Sequence, residues 1–298
     1  MRSAYHLLAP LMLVASAAVC ASSDRDFDRT VAAQPQGVVD ISNVAGSVDV
    51  RAWDRAEVAV HAELGESVER VDVNTEGGRT IIKVVLPHNS GHHGEATLHV
   101  QIPKGSELDV SAVSADVTTS GVQGMQRLSA VSGDVSAELY GGDLELKTVS
   151  GDVHLKGHGQ AAKLHMSTVS GDMHLEHGAG DLEAGTVSGT LVATLDTARS
   201  VRVRSTSGDL RFDGRLTRGA SFDASTVSGD LNVRASAEGG YAYEVTSFSG
   251  DITDCFGAKA ERASQYGPGS VLQGTRGEGA GHVRLKTMSG DVQLCDRT

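Results

Sequence analysis

Serine followed by glycine and aspartate recurs along the chain, at Ser132-Gly133-Asp134, Ser150-Gly151-Asp152, Ser170-Gly171-Asp172, Ser207-Gly208-Asp209, Ser228-Gly229-Asp230, Ser249-Gly250-Asp251 and Ser289-Gly290-Asp291. Looser copies stand at Ser114 and Ser188, the second with Thr190 in the aspartate's place. Several chemistries attach to these residue types. Serine near a carboxylate suggests a nucleophile. A file of carboxylates suggests calcium, which takes roughly six to eight oxygens. His154 and His174 occupy equivalent positions of adjacent copies, with His158, His165 and His177 close in sequence, and stacked imidazoles suggest a transition metal. The Thr/Ser column two residues before the anchor serine (Thr148, Thr168, Thr186, Ser205, Thr226, Ser247, Thr287) suggests a flat ice- or sugar-binding face.

Each has a plainer reading. No Gly-x-Ser-x-Gly elbow or His-Glu-x-x-His helix is present, and the carboxylates are spread singly instead of converging as a polysaccharide lyase or hydrolase requires. One aspartate per copy is thin for calcium, and Thr190 interrupts the column without breaking the repeat. Carboxylates stacked in water repel by only about 1 kcal/mol before screening, so the column does not require a cation. The histidine column continues as Ser136, Arg211, Asn232 and Gln293, an ordinary solvated strand face. His88, His92 and His93, in PHNSGHHGE, suit loose metal binding by a loop. The expectation is therefore no catalytic, metal or cofactor-binding residue. Ser-Gly-Asp reads as a structural corner: glycine supplies positive φ, aspartate accepts from backbone N–H groups two residues on, and serine hydroxyls stack into a ladder.

The elements around the corner follow from spacing. Successive anchor serines are separated by 18, 18, 20, 18, 19, 21, 21 and then 40 residues. Apolar residues lie six and four positions before the serine, as in Leu144/Leu146 and Leu164/Met166, with a polar residue between. A second alternating pair follows, as in Val153/Leu155 and Met173/Leu175. Each copy thus carries two short strands with one buried face, and copies must stack to close a core. The predicted fold is all-β: a single-stranded parallel β-solenoid (β-helix) of about nine to ten rungs with an N-terminal β-sandwich-like cap. The intermediate polar column alternates in sign, Arg127 then Glu145, and Glu183, Arg202, Asp223 in succession, which serves register.

The domain reading is a signal peptide over 1–21, a flexible N-terminal segment over 22–31, a β-rich cap over 32–105 and the solenoid over 106–298. The leader has Arg2, an apolar run from Leu7 to Val19, and Val19-Cys20-Ala21 before Ser22. Val19 and Ala17 fit poorly with lipid anchoring at Cys20. No other apolar run approaches the ~20 residues of a membrane span, so the mature chain is expected to be exported without one. A formal net charge of −12 argues against nucleic acid, and 4% aromatic residues leave little for a stacking platform. Cys255 and Cys295 each fall four residues after their copy's aspartate. They can form a structural disulfide if their rungs are neighbours, which export favours, and cannot if a degenerate rung at Gly269-Ser270 intervenes.

The opening VDISNVAGSVDVRAWDRAEVAV, the serial TVSGDV corners and the closing GPGSVLQGTRGEGAGHVRLKTMSGDVQL resemble the bacterial adhesin-type family of β-strand-repeat cell-envelope proteins, the toastrack-type domains. The resemblance implies an exported β-solenoid with no catalytic residues, tied to adhesion by name and to envelope-stress signalling by association. The functional expectation is a non-enzymatic scaffold or interaction module of the periplasm or cell surface, binding an envelope protein or surface polymer. The alternatives are a polysaccharide-binding or polysaccharide-active β-helix and a calcium- or metal-stabilised repeat.

Overall fold

The computed structural model describes residues 25–87, 94–263 and 268–297. The leader and the loop histidines His88, His92 and His93 lie outside the described residues. Every regular element among those described is a strand.

Six strands build the N-terminal end: β1 (Asp26–Ala32), β2 (Val38–Trp53), β3 (Glu57–Leu64), β4 (Arg70–Glu76), β5 (Arg79–Val85) and β6 (Glu95–Pro103). β2 is already a complete rung. Its two halves pair in parallel with those of β7 (Glu107–Ser120), Asp40 facing Asp109 and Val50 facing Thr119. Ala45-Gly46-Ser47 takes the corner between them, with Gly46 at φ +106°. The β-sandwich-like cap ending near residue 105 thus gives way to a continuous stack. The reason is the core: Val39, Ile41, Val48 and Val50 are buried in the same apolar cluster as Leu108 and Val110, which leaves no second interior for a cap. β5 and β6 cover β2 in parallel on its outer side, and antiparallel β4 and β3 cover them in turn. Residues expected to be a flexible segment instead supply β1, paired with β3 from Asp26 to Ala32. Phe27 and Val31 on that strand pack against the core, which holds it in place.

From β7 onward the copies stack in chain order. They are β8 (Gln126–Ser132) with β9 (Val135–Leu139), β10 (Leu144–Ser150) with β11 (Val153–Gly157), β12 (Ala162–Ser170), β13 (Met173–Ser188), β14 (Leu191–Ser207), β15 (Leu210–Ser228) and β16 (Leu231–Ala237). Segments before the corner pair with one another, and segments after it do likewise, so two parallel sheets face each other across the core. Leu144, Leu146 and Thr148 enter from one side and Val153 and Leu155 from the other, all buried.

The C-terminal end departs from chain order. It comprises β17 (Gly240–Ser249), β18 (Ile252–Asp254), β19 (Glu261–Arg262), β20 (Ser270–Gly277), β21 (Gly281–Ser289) and β22 (Val292–Cys295). β21 pairs with β15 on one side and β17 on the other, and β22 lies likewise between β16 and β18. The last copy in sequence is therefore the penultimate rung in space. Outward charges give a physical reason. Arg284 sits between Asp223 and Glu244, at 4.0 and 3.2 Å, where chain order would have set those two carboxylates side by side. Antiparallel β20 then covers β17, and β19 covers β20. Both ends of the stack thus close on strands that run against the parallel ladder, which blunts the open edge of a solenoid.

Candidate functional site: the corner edge

The corner serines lie in one file. Their pairings run Ser114–Ser132–Ser150–Ser170–Ser188–Ser207–Ser228–Ser289–Ser249. Glycine follows at every corner but the first, where Ala115 stands, and all of these glycines except Gly208 hold strongly positive φ, +119° at Gly151 and +129° at Gly171. The aspartates work differently from the local turn expected of them. Asp134 Oδ1 accepts the backbone N–H of Asp152 at 2.8 Å, Asp152 accepts that of Asp172 at 3.0 Å, and Asp172 accepts that of Thr190 at 2.7 Å. Beyond this break the ladder resumes from Asp209 through Asp230 and Asp291 to Asp251. Apart from Asp251, which ends the file, each of these carboxylates satisfies a donor one rung away, because the corner's own N–H points along the stack. The serine ladder does not form: among the described residues Ser150 alone of the corner hydroxyls donates, to the Val131 carbonyl at 3.4 Å.

This geometry makes the column a hydrogen-bonding device with a testable signature. Asp172→Ala is expected to cost about 1–2 kcal/mol in urea unfolding, since the Thr190 N–H loses its acceptor. Asp172→Asn keeps an acceptor oxygen and should leave the midpoint near wild type, with chelator changing neither. A strong chelator effect would instead mean that the column holds a cation.

The Thr column is buried, Thr148, Thr168, Thr186, Thr226 and Thr287 among it, which rules out an exposed ice- or sugar-binding face. Strand alternation then forces the next residue outward, and that residue is apolar almost throughout: Val113, Val131, Val149, Val169, Val187, Val227, Met288 and Phe248 in spatial order. Exposure runs from 47% at Val113 to 58% at Met288, and Thr206 is the one polar interruption. The edge thus carries three parallel rows, apolar, hydroxyl and carboxylate, repeating at the ~4.8 Å strand spacing. The apolar row was legible from the Thr-Val-Ser parity alone, although attention to the polar residues hides it.

Elsewhere the candidate residues scatter. His154 and His174 stack with ring centroids 5.4 Å apart above a shallow depression of about 330 Å³. His158 stacks on Tyr140, while His165 and His177 face Glu183 and Asp196. Among the described residues no group of three or more His, Cys, Asp or Glu is placed to hold a metal. Cys255 and Cys295 are joined in a disulfide with Cα atoms 4.9 Å apart, brought together by the inserted rung. The Lys147 hydrogen bond holds the Glu145 carboxyl below its ordinary range, and Arg199 does the same for Asp181. A general acid needs the opposite shift. Burial pushes the Tyr241 hydroxyl up, so it stays protonated inside the core.

Residues 38–295 match the model of the family described as Toastrack DUF4097. The chain belongs to this family. No curated protein matches it. Similar solved structures include a candidate adhesin from Bacteroides fragilis, at 11% identity over 91% of this chain and 97% of that one, with a TM-score of 0.36. A candidate cell adhesion protein from Clostridium sporogenes is 8% identical over 92% and 99%, with a TM-score of 0.26. A candidate lipid binding protein from Parabacteroides distasonis is 9% identical over 90% and 96%, with a TM-score of 0.38. Among the described residues of this Toastrack chain, no helix is long and apolar enough to cross a membrane.

Proposed function

We propose that this Toastrack protein is an exported, non-enzymatic interaction module of the bacterial envelope that docks a partner protein along its corner edge. The apolar row carries the reading. Eight half-exposed apolar side chains in one file are more than scattered surface residues, and a contiguous apolar strip on a soluble fold marks a contact surface. Covering one half-exposed valine is worth about 1 kcal/mol, so a partner spanning several rungs gains enough to bind. The adjoining aspartate row and the net charge of −12 select a partner whose facing surface is apolar and basic. A bare polysaccharide would leave the valines uncovered, so a protein fits better than a glycan. Residues 1–21 act in this reading as the export leader, and no cofactor takes part.

The test is a photo-crosslinker at Val187 in the mature protein, introduced into intact envelopes. Val149→Asp with Val169→Asp should abolish the crosslinked product while the melting temperature stays within a degree or so, since surface changes of this kind alter stability by about 0.5 kcal/mol. An identical product from the double variant would refute docking at the ridge.

A further inference from the structure

On the outer face of the sheet preceding the corners, β14, β15 and β21 lie side by side. Their outward residues form two short columns: Arg202, Asp223 and Arg284 in one, Arg204, Ser225 and Lys286 in the other. These residues line a surface depression of about 340 Å³. Four cations there meet a single carboxylate, on a chain whose formal net charge is −12. That carboxylate is already engaged: Asp223 Oδ2 accepts from the Ser221 hydroxyl at 3.2 Å, and Oδ1 lies 4.0 Å from Arg284. Arg284 in turn directs Nε to Glu244 at 3.2 Å. Arg202, Arg204 and Lys286 have no ion pair or side-chain hydrogen bond among the described residues. The first column still alternates in sign, from Glu183 through Arg202, Asp223 and Arg284 to Glu244, but the second has no carboxylate: Arg204 and Lys286 flank the Ser225 hydroxyl, with Arg202 close by and without an ion pair of its own.

The two cationic flanks of Ser225 are two strand spacings apart, ~9.6 Å between backbones. An anion seated over Ser225 lies within reach of both flexible side chains and of the hydroxyl as donor. A planar carboxylate would satisfy one guanidinium fork and leave the opposite flank unpaired, whereas a tetrahedral oxyanion presents oxygens to all three directions. On the β13 side Gly185 pairs with Arg204, and a Cβ there would meet nothing within 4 Å, so the approach is open. We propose that Arg202, Arg204, Ser225 and Lys286 form a binding site for a phosphate or sulfate monoester group. The site is separate from the corner edge and stands or falls independently of docking there.

Amide and arginine Nε–H shifts of the labelled mature protein, titrated with sodium phosphate or sodium sulfate at constant ionic strength set by chloride, test this. Saturable shifts confined to Arg202, Arg204, Ser225 and Lys286 are expected. The double variant Arg204→Ala with Lys286→Ala should weaken binding about tenfold or more, the loss of charge-assisted contacts. Gly185→Glu provides a second, sterically silent variant: it sets a carboxylate beside Arg204 in open space and should weaken binding while the melt stays unchanged. Co-sedimentation with phosphatidylcholine vesicles that contain phosphatidic acid, and not with phosphatidylcholine alone, would support the site with a lipid headgroup as its source. Phosphate or sulfate shifts without co-sedimentation would support it with a soluble ester as source. Shifts no larger than chloride produces, or equal in all three proteins, would overturn it.

Discussion

Gly171→Ala is expected to destabilise the protein by about 3–4 kcal/mol, among the largest effects of any single substitution outside the core. Two costs combine. Gly171 holds φ +129°, a region nearly closed to residues with a Cβ and worth about 1–3 kcal/mol in strain. A Cβ there would also stand 2.2 Å from the Gly151 carbonyl oxygen, a backbone atom of the rung beneath. Neither rung can move away, because the strands on both sides of the corner are paired to the same neighbours. Gly185 is the control, since it carries no positive φ and a Cβ there meets nothing within 4 Å. Gly185→Ala should shift the urea midpoint by no more than about 0.5 kcal/mol equivalent. Equal midpoints for the two alanine variants would show that the corner does not constrain the stack as described.

Removing the disulfide, by Cys255→Ala with Cys295→Ala, should cost about 3–4 kcal/mol in the chain-entropy account, given the 40-residue separation it spans. The loss should be local. That segment contains β19 to β22, including the inserted rung, and the bridge ties β22 to the residue following β18. In a stack where each rung contacts only its neighbours, a defect at one end need not reach the other. Hydrogen exchange should therefore accelerate at Val245, Leu285 and Leu294 and remain slow at Leu128, Leu146 and Leu164. Uniform acceleration along the chain would mean that the C-terminal rungs do not open as a separate unit.

The two changes test different layers of the structure, and these layers were unequally legible. The corner spacing, the two strands per copy and the inward apolar pairs all follow from periods of two and about twenty residues in the sequence. Leu144, Leu146, Val153 and Leu155 are buried as that pattern requires. The chemistry suggested by the motifs did not survive placement. The threonines point inward, His154 and His174 stack only on each other while His158, His165 and His177 find other neighbours, and the aspartates serve backbone donors one rung away.

Local alternation determines which side chains face in or out, because parity along a strand depends only on adjacent residues. The sequence alone therefore established the solenoid-like stack, its corners and, for a reader attending to Thr-Val-Ser, the apolar row. Which strands become neighbours depends instead on contacts between distant residues and on how each open edge is closed. Only the tertiary structure set Ser289 between Ser228 and Ser249, joined β1 to β3, and brought Lys286 to the flank of Ser225 opposite Arg204. A cue for the first existed in the sign of Arg284 against Asp223 and Glu244, but a charge pair becomes decisive only once the competing arrangement, two adjacent carboxylates on a sheet face, is weighed against it.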